Sequence, residues 1–232
     1  TARVLGDHSV KKATDALTKG LTDIAPQVVM YSALGLAKVN SPAAVPAIIN
    51  ALEINSDKDL WVRHALTMAL KGTDKNAWFN QYKNHASTDV RMGVLLALRL
   101  LKDNDVAYFL KDKEIALSNE AIVAIDDNEL VDVRGQVAAL LGSKRPTGSR
   151  TKDYFHHRLI NANFAQGDIA SAKRLLNYAA IHGFKDRLAA EALAAIEGWH
   201  DVNPINTITG LPETANKKRA DINATIKALL GQ

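Results

Sequence analysis

Apolar residues recur along this chain at the spacing of one helix face. Val62, Ala65, Leu66, Ala69 and Leu70 follow i, i+3, i+4, i+7, i+8, and Val90, Gly93, Val94, Ala97 and Leu98 repeat the order 28 residues later. A weaker copy, Tyr31 to Ala37, lies 32 residues before the first. A fixed period near thirty residues predicts stacked helical hairpins, each unable to bury its apolar face alone. Small residues at matched positions, Ala65 and Gly93, predict close approach of neighbouring helices.

Helix punctuation divides the chain further. Ser41-Pro42 reads as an N-cap followed by proline at the first helical position, and Thr73, Thr88 and Asp168 sit where caps belong. Gly72, Gly142, Gly167 and Gly183 follow apolar-periodic runs, where a left-handed C-terminal residue is expected. The predicted pairs are 10–21 with 26–39, 42–54 with 58–71, 75–85 with 88–101, 104–111 with 114–126, 129–141 with 152–166, and 168–182 with 186–199. No segment sustains period-two alternation, so no sheet is expected. The expected fold is all-α, a right-handed α-α superhelix of about six helix pairs in a single domain, 1–232. Repeats are clear over 26–126 and degenerate over 129–199, with an extended connection over 200–218 and a capping helix over 219–230.

The segment Asp59-Leu60-Trp61-Val62-Arg63-x-Ala65-Leu66-x-x-Ala69-Leu70, echoed by Thr88-Asp89-Val90-Arg91, resembles the second helix of a HEAT repeat. The resemblance implies an armadillo-like solenoid in which the Asp favours the helix N-terminus and the Arg bridges to an Asp of the neighbouring repeat. A narrower resemblance runs along most of the chain. It rests on Ala2-Arg3-Val4-Leu5-Gly6-Asp7, Ile122-Val123-Ala124-Ile125-Asp126-Asp127, Arg158-Leu159-Ile160-Asn161-Ala162-Asn163-Phe164, Arg187 with Glu191-Ala192-Leu193, Trp199 and Thr209-Gly210. This order is similar to the HEAT region of large exported glucose/sorbosone-dehydrogenase-like proteins. There a β-propeller precedes the HEAT segment and a c-type cytochrome domain commonly accompanies it. The resemblance implies a non-catalytic interaction or connecting domain, a fragment of a larger protein, with an exported or periplasmic location. The chain's start at Thr1 fits a fragment.

Composition narrows the chemistry. Without cysteine, these residues form no disulfide, thiolate metal site, cysteine nucleophile or covalent haem. Glycine-rich phosphate loops, a His-Glu-x-x-His pair and a Gly-x-Ser-x-Gly elbow are all missing, so no catalytic, metal or cofactor residue is expected and the isolated domain reads as no enzyme. His156 and His157 are adjacent, so on a helix they diverge by about 100° and chelate poorly together. No apolar run reaches the roughly 18 residues of a membrane span.

The formal charge is only +4, with basic and acidic residues interleaved. A nucleic-acid-binding module of DNA-glycosylase type is the alternative reading. Its candidate basic patch is Lys144, Arg145, Arg150 and Lys152, with Arg158 beside it and Lys217, Lys218 and Arg219 as a second cluster. The positions expected to line an inner surface are His64, Thr67, Lys71, Met92, Leu95 and Arg99. They form no basic stripe. Met92 and Leu95 lie off the core stripe of a helix that is apolar nearly all round, for which burial at the centre of the stack is the simpler explanation; the alternative is a groove for a protein or for neighbouring domains of the same chain, rather than nucleic acid.

Overall fold

The computed structural model describes residues 2–7, 11–142, 151–183 and 185–230. The helices are α1 (Ala2–Asp7), α2 (Thr14–Gly20), α3 (Pro26–Val39), α4 (Val45–Asn55), α5 (Leu60–Lys71), α6 (Phe79–Tyr82) and α7 (Thr88–Leu101), then α8 (Ile115–Asp127), α9 (Val131–Ala138), α10 (Thr151–Gln166), α11 (Ile169–His182), α12 (Arg187–Glu197) and α13 (Asn223–Leu230). Among the described residues there is no strand, only an isolated antiparallel bridge between Ile205 and Pro212. The fold is all-α, with consecutive helices packed as neighbouring pairs. Packing divides the chain into two compact units, Thr1–Asp103 and Asn104–Gln232.

In the first unit the second helix of each pair forms one layer. α1 packs on α3, α3 on α5 and α5 on α7, while α2, α4 and α6 back them. Leu36, Ile48, Leu52, Leu66, Leu70, Val94 and Leu98 fill the space between layers. The helix starts are set by side chains: Asp59 accepts from the backbone N–H of Trp61 and Val62, and the Ser87 hydroxyl accepts from Val90. Thr88 is therefore the first helical residue and not the cap. Thr73 does not cap either; its hydroxyl donates back to the Leu70 carbonyl, and Asp74 opens the next turn.

The helix ends differ from expectation. Gly142, Gly167 and Gly183 have positive φ, but Gly72 sits at φ −72°. Gly72 is needed for space, because a Cβ there would overlap the Ala37 carbonyl oxygen and lie 2.7 Å from the Ala37 Cα. The left-handed C-terminal positions of α3, α4 and α7 are Asn40, Ser56 and Lys102. Gly93 serves close packing as expected, with Leu52 against its Cα face.

The second unit repeats the arrangement. α8, α10 and α12 pack in sequence, backed by a 3-10 helix over Asn104–Lys111, by α9 and by α11. The segment expected as an α-helix over 104–111 is thus wound more tightly. The last helix begins at Asn223 and not at 219, and α1 is a helix that the periodicity did not reveal.

Residues 200–222 contain no helix, yet they are tied to the end of α10. Asn216 N–H donates to the Ala165 carbonyl at 2.8 Å and Ala220 N–H to the Gly167 carbonyl at 2.9 Å. Gly167 turns with φ +70° directly under the Arg219 guanidinium, 3.3 Å from the Cβ position. Gly167→Ala is expected to lower stability by about 1–2 kcal/mol, the usual cost of a left-handed L-residue, and a chemical melt would show it as a lower midpoint.

Candidate functional site

Two arrangements stand out, one in each unit. The first is the uncovered side of α3, α5 and α7. On a helix, residues three or four apart share a face. Tyr31, Leu34 and Lys38 do so on α3, His64, Met68 and Lys71 on α5, and Met92, Leu96 and Arg99 on α7. None of these nine is buried. Across the helices they read as three rows: Tyr31, His64 and Met92; then apolar Leu34, Met68 and Leu96; then cationic Lys38, Lys71 and Arg99.

Each cation lies in the last turn of its helix. Between α3 and α5 the rows open into a groove of about 340 Å³, lined by Tyr31, Leu34, Lys38, Met68 and Lys71 with Arg3 of α1.

Four of the six surface residues expected from sequence, His64, Lys71, Met92 and Arg99, lie on this face. Thr67 and Leu95 do not. Leu95 is 0% exposed in the core, and Thr67 is buried with its hydroxyl donating to the Arg63 carbonyl at 2.9 Å. Met68 and Leu96, one position further on, take their places. A helix turns about 100° per residue, so a one-position error exchanges core for surface.

The Asp-x-Val-Arg element also works differently from expectation. Arg63 pairs with Asp57 of its own turn, at 2.5 and 2.6 Å. Arg91 is buried and donates to the carbonyls of His85 and Ala86 in its own turn. The link between neighbouring pairs comes from the Asp, since Asp89 accepts from the Ser56 hydroxyl at 3.0 Å. Asp132-Val133-Arg134 is a further copy of this element, and Asp132 accepts from Asn104 at 3.1 Å.

The second arrangement is a polar network centred on α10. Arg158 is buried and bridges to Asp126 of α8, which is buried as well, and to Asp127 at 2.9 Å; its other amino group donates to the Tyr154 hydroxyl at 2.6 Å. Burial pushes the Asp126 carboxyl above its ordinary pKa, and Asp127 adds to this, against the pull of Arg158. Burial also works against the Arg158 charge, but the Tyr154 hydrogen bond and the two carboxylates outweigh it and hold its pKa above the usual value.

One residue earlier, His157 contacts Glu191 of α12 at 2.5 Å and Arg187 at 2.9 Å. His156 turns instead toward Tyr178, with ring centroids 6.1 Å apart, so the adjacent histidines diverge. Asn163, fully buried, donates to the Ala138 carbonyl and accepts from Arg174 at 2.7 Å. At the end of α10 the Arg219 guanidinium lies 4.2 Å from the ring centroids of both Phe164 and Trp199, and burial lowers its pKa.

Neither Arg158 nor Arg219 therefore belongs to a solvated basic cluster. Lys144, Arg145 and Arg150 lie outside the described residues, as does the Lys152 side chain. Among the described residues no three His, Asp or Glu side chains converge on a possible metal position, and no helix is long and apolar enough to cross a membrane.

Residues 28–53, covering most of α3 and α4, match the model of the PBS lyase HEAT-like repeat. The fold is HEAT-like. No curated protein matches the chain. Among solved structures it is similar to an engineered protein, a Northeast Structural Genomics Consortium target, at 19% identity over 85% of this chain and 88% of that one, with a TM-score of 0.28. A TM-score of that size does not establish a shared fold. A HEAT-like repeat scaffold fits a non-catalytic interaction role.

Proposed function

We propose that this chain is a non-catalytic scaffold that binds another protein or a neighbouring domain, and that its binding face is the three-row side of α3, α5 and α7. The observation that carries this reading is the set Leu34, Met68 and Leu96: three aliphatic or thioether side chains, none of them buried, on three adjacent helices. Apolar groups placed together at a surface mark contact sites more often than apolar groups scattered singly. The order of motifs along the chain supports a finer reading, that the scaffold is one segment of a larger exported dehydrogenase-like protein. The coding sequence on either side tests that reading. A propeller upstream and a Cys-x-x-Cys-His downstream are its expected neighbours, and unrelated neighbours would remove it.

Duplex DNA is the competing partner for the cations. A face that used Arg3, Lys38, Lys71 and Arg99 on phosphates would show a log–log salt slope of about −3 to −4. The apolar row between them has no use on a duplex backbone. The expected result is no DNA binding at about 10 µM protein in physiological salt, a concentration at which even non-specific DNA-binding proteins are partly bound. Micromolar binding with a steep salt slope would overturn the scaffold reading.

A further inference from the structure

We infer that the cleft between α10, α12 and the segment 204–213 binds a small organic cation, an apolar body carrying one primary ammonium group, with the Asp201 carboxylate as its counter-ion. Every residue of this site belongs to the second unit, and none belongs to the face proposed for protein binding.

The cleft measures about 320 Å³. Ile160 and Phe164 of α10 form one wall. α12 contributes Ala194, Ala195 and Gly198 at its end, whose small size leaves the space open. Among the described residues, a Cβ added at Gly198 would meet only the Ala194 carbonyl oxygen, at 3.4 Å. The third wall holds its own shape. Glu213 N–H donates to the Pro204 carbonyl and Asn206 N–H to the Leu211 carbonyl, both at 2.9 Å. The buried Asn206 side chain accepts through Oδ1 from the N–H groups of Ile208 and Thr209 at 2.9 and 3.1 Å. A wall fixed by its own hydrogen bonds does not collapse onto the helices. A preformed, mostly apolar cleft of this volume falls at the small end of small-molecule sites, which begin near about 300 Å³.

Three carboxylates and no Lys or Arg line the cleft. Two of them are already answered. Glu191 contacts His157 at 2.5 Å, while Glu213 accepts from the Ala215 N–H at 2.8 Å and supports the charge of Arg219. Asp201 is the third. It is exposed, and its carboxylate has no hydrogen bond or ion pair among the described residues. The half-buried Asn161 amide has none there either. The unanswered charge of the cleft is thus the single negative one of Asp201. An ammonium gains a charge-assisted hydrogen bond from it, whereas an anion meets like charge and no cation.

The type of cation follows from what surrounds it. A quaternary ammonium wants open aromatic faces. Phe164 is the only aromatic ring in the lining, and the Arg219 guanidinium already lies 4.2 Å from its centroid. A primary ammonium needs only oxygen acceptors, which Asp201 and Asn161 offer. Asp201 is exposed and screened by water, so apolar contact with Ile160, Ile205 and Ile208 supplies much of the affinity.

The test is an NMR titration of the full, nitrogen-15-labelled chain with three probes of one size: 2-phenylethylamine, 2-phenylethanol and phenylacetate. The amine is expected to bind with a Kd of about 1 mM, in the range for so few atoms, and to shift the amide signals of Ala194, Ala195 and Gly198. The alcohol and the acid should each bind about tenfold more weakly or worse. Asp201→Asn, at an exposed position, should bring the amine to the level of the alcohol without changing the melting temperature. Ala194→Trp, also at an exposed position, fills the cleft and should abolish binding of the amine.

An alcohol that binds as well as the amine, or an amine indifferent to Asp201→Asn, would overturn the cation. Tighter binding of phenylacetate would do the same. Amine binding that survives Ala194→Trp would place it elsewhere, and no amine binding at about 10 mM would remove the site. Each of these results leaves the protein-binding face of α3, α5 and α7 standing, because no residue is shared.

Discussion

Arg158→Met is expected to cost about 3–5 kcal/mol at neutral pH, because it leaves the Asp126 carboxylate buried without its cation. Asp126 already titrates above its ordinary range through burial, and loss of Arg158 would raise it further. The folded variant would then hold a proton that the unfolded chain, with a carboxylate near 3.8, releases. A carboxyl raised in this way stabilises the fold when protonated, and that contribution is lost as pH rises through the folded pKa. Arg158→Met should therefore unfold at lower urea at pH 7.5 than at pH 5. Replacing both residues, Arg158→Met with Asp126→Leu, should recover most of the loss, since no unpaired charge remains. A double variant less stable than the single one would show that the pair contributes net stability rather than mutual neutralisation.

Gly72→Ala is expected to lose about 2–3 kcal/mol, the range for overpacking a rigid contact. Its φ of −72° suits alanine, so backbone strain plays no part. The cost lies in the Ala37 backbone, which stands where the methyl group would go and cannot swing aside as a side chain would. α3 and α5 would have to separate. Gly142→Ala provides the contrast: it has positive φ but open space around it, and should cost only about 1–2 kcal/mol. A thermal melt in which Gly142→Ala is the more damaging of the two would contradict this account.

Much of the architecture was legible because the helices are amphipathic and their ends carry local signals. Asp59, Asp168 and Asp186 cap α5, α11 and α12 through bonds within three residues of themselves, and such bonds need no tertiary knowledge. The left-handed positions at Ser56 and Lys102 were not legible, because neither residue type favours that conformation. The 3-10 winding of 104–111 keeps the same apolar residues inward, so the periodicity could not distinguish it from an α-helix.

The helix wheel misplaced two residues of the proposed face, since Thr67 and Leu95 are buried. Whether Leu95 or Leu96 faces outward depends on how α4 and α7 meet at Leu52 and Gly93, and the wheel of α7 alone does not contain that information. The Arg158–Asp126 pair escaped for a related reason. Its members lie 32 residues apart on different helices, and only the register between α8 and α10 brings them together. The separation does match the repeat period, which was the available clue. The same period relates His157 to Glu191, 34 residues apart.

The strap over 200–222 changes what counts as the end of this fold. The helical pattern fades at Trp199, and a protein engineer working from periodicity would cut the gene there. That cut would remove the Ala220 carbonyl that accepts the Trp199 indole N–H at 3.0 Å. It would take away the guanidinium lying against Phe164 and Trp199 and the backbone donors to Ala165 and Gly167. The shortened protein would carry a wetted tryptophan and a sticky aromatic pair at its new terminus. A recombinant version of the second unit thus has to reach at least Ile222, which is buried, more than twenty residues past its last obvious repeat.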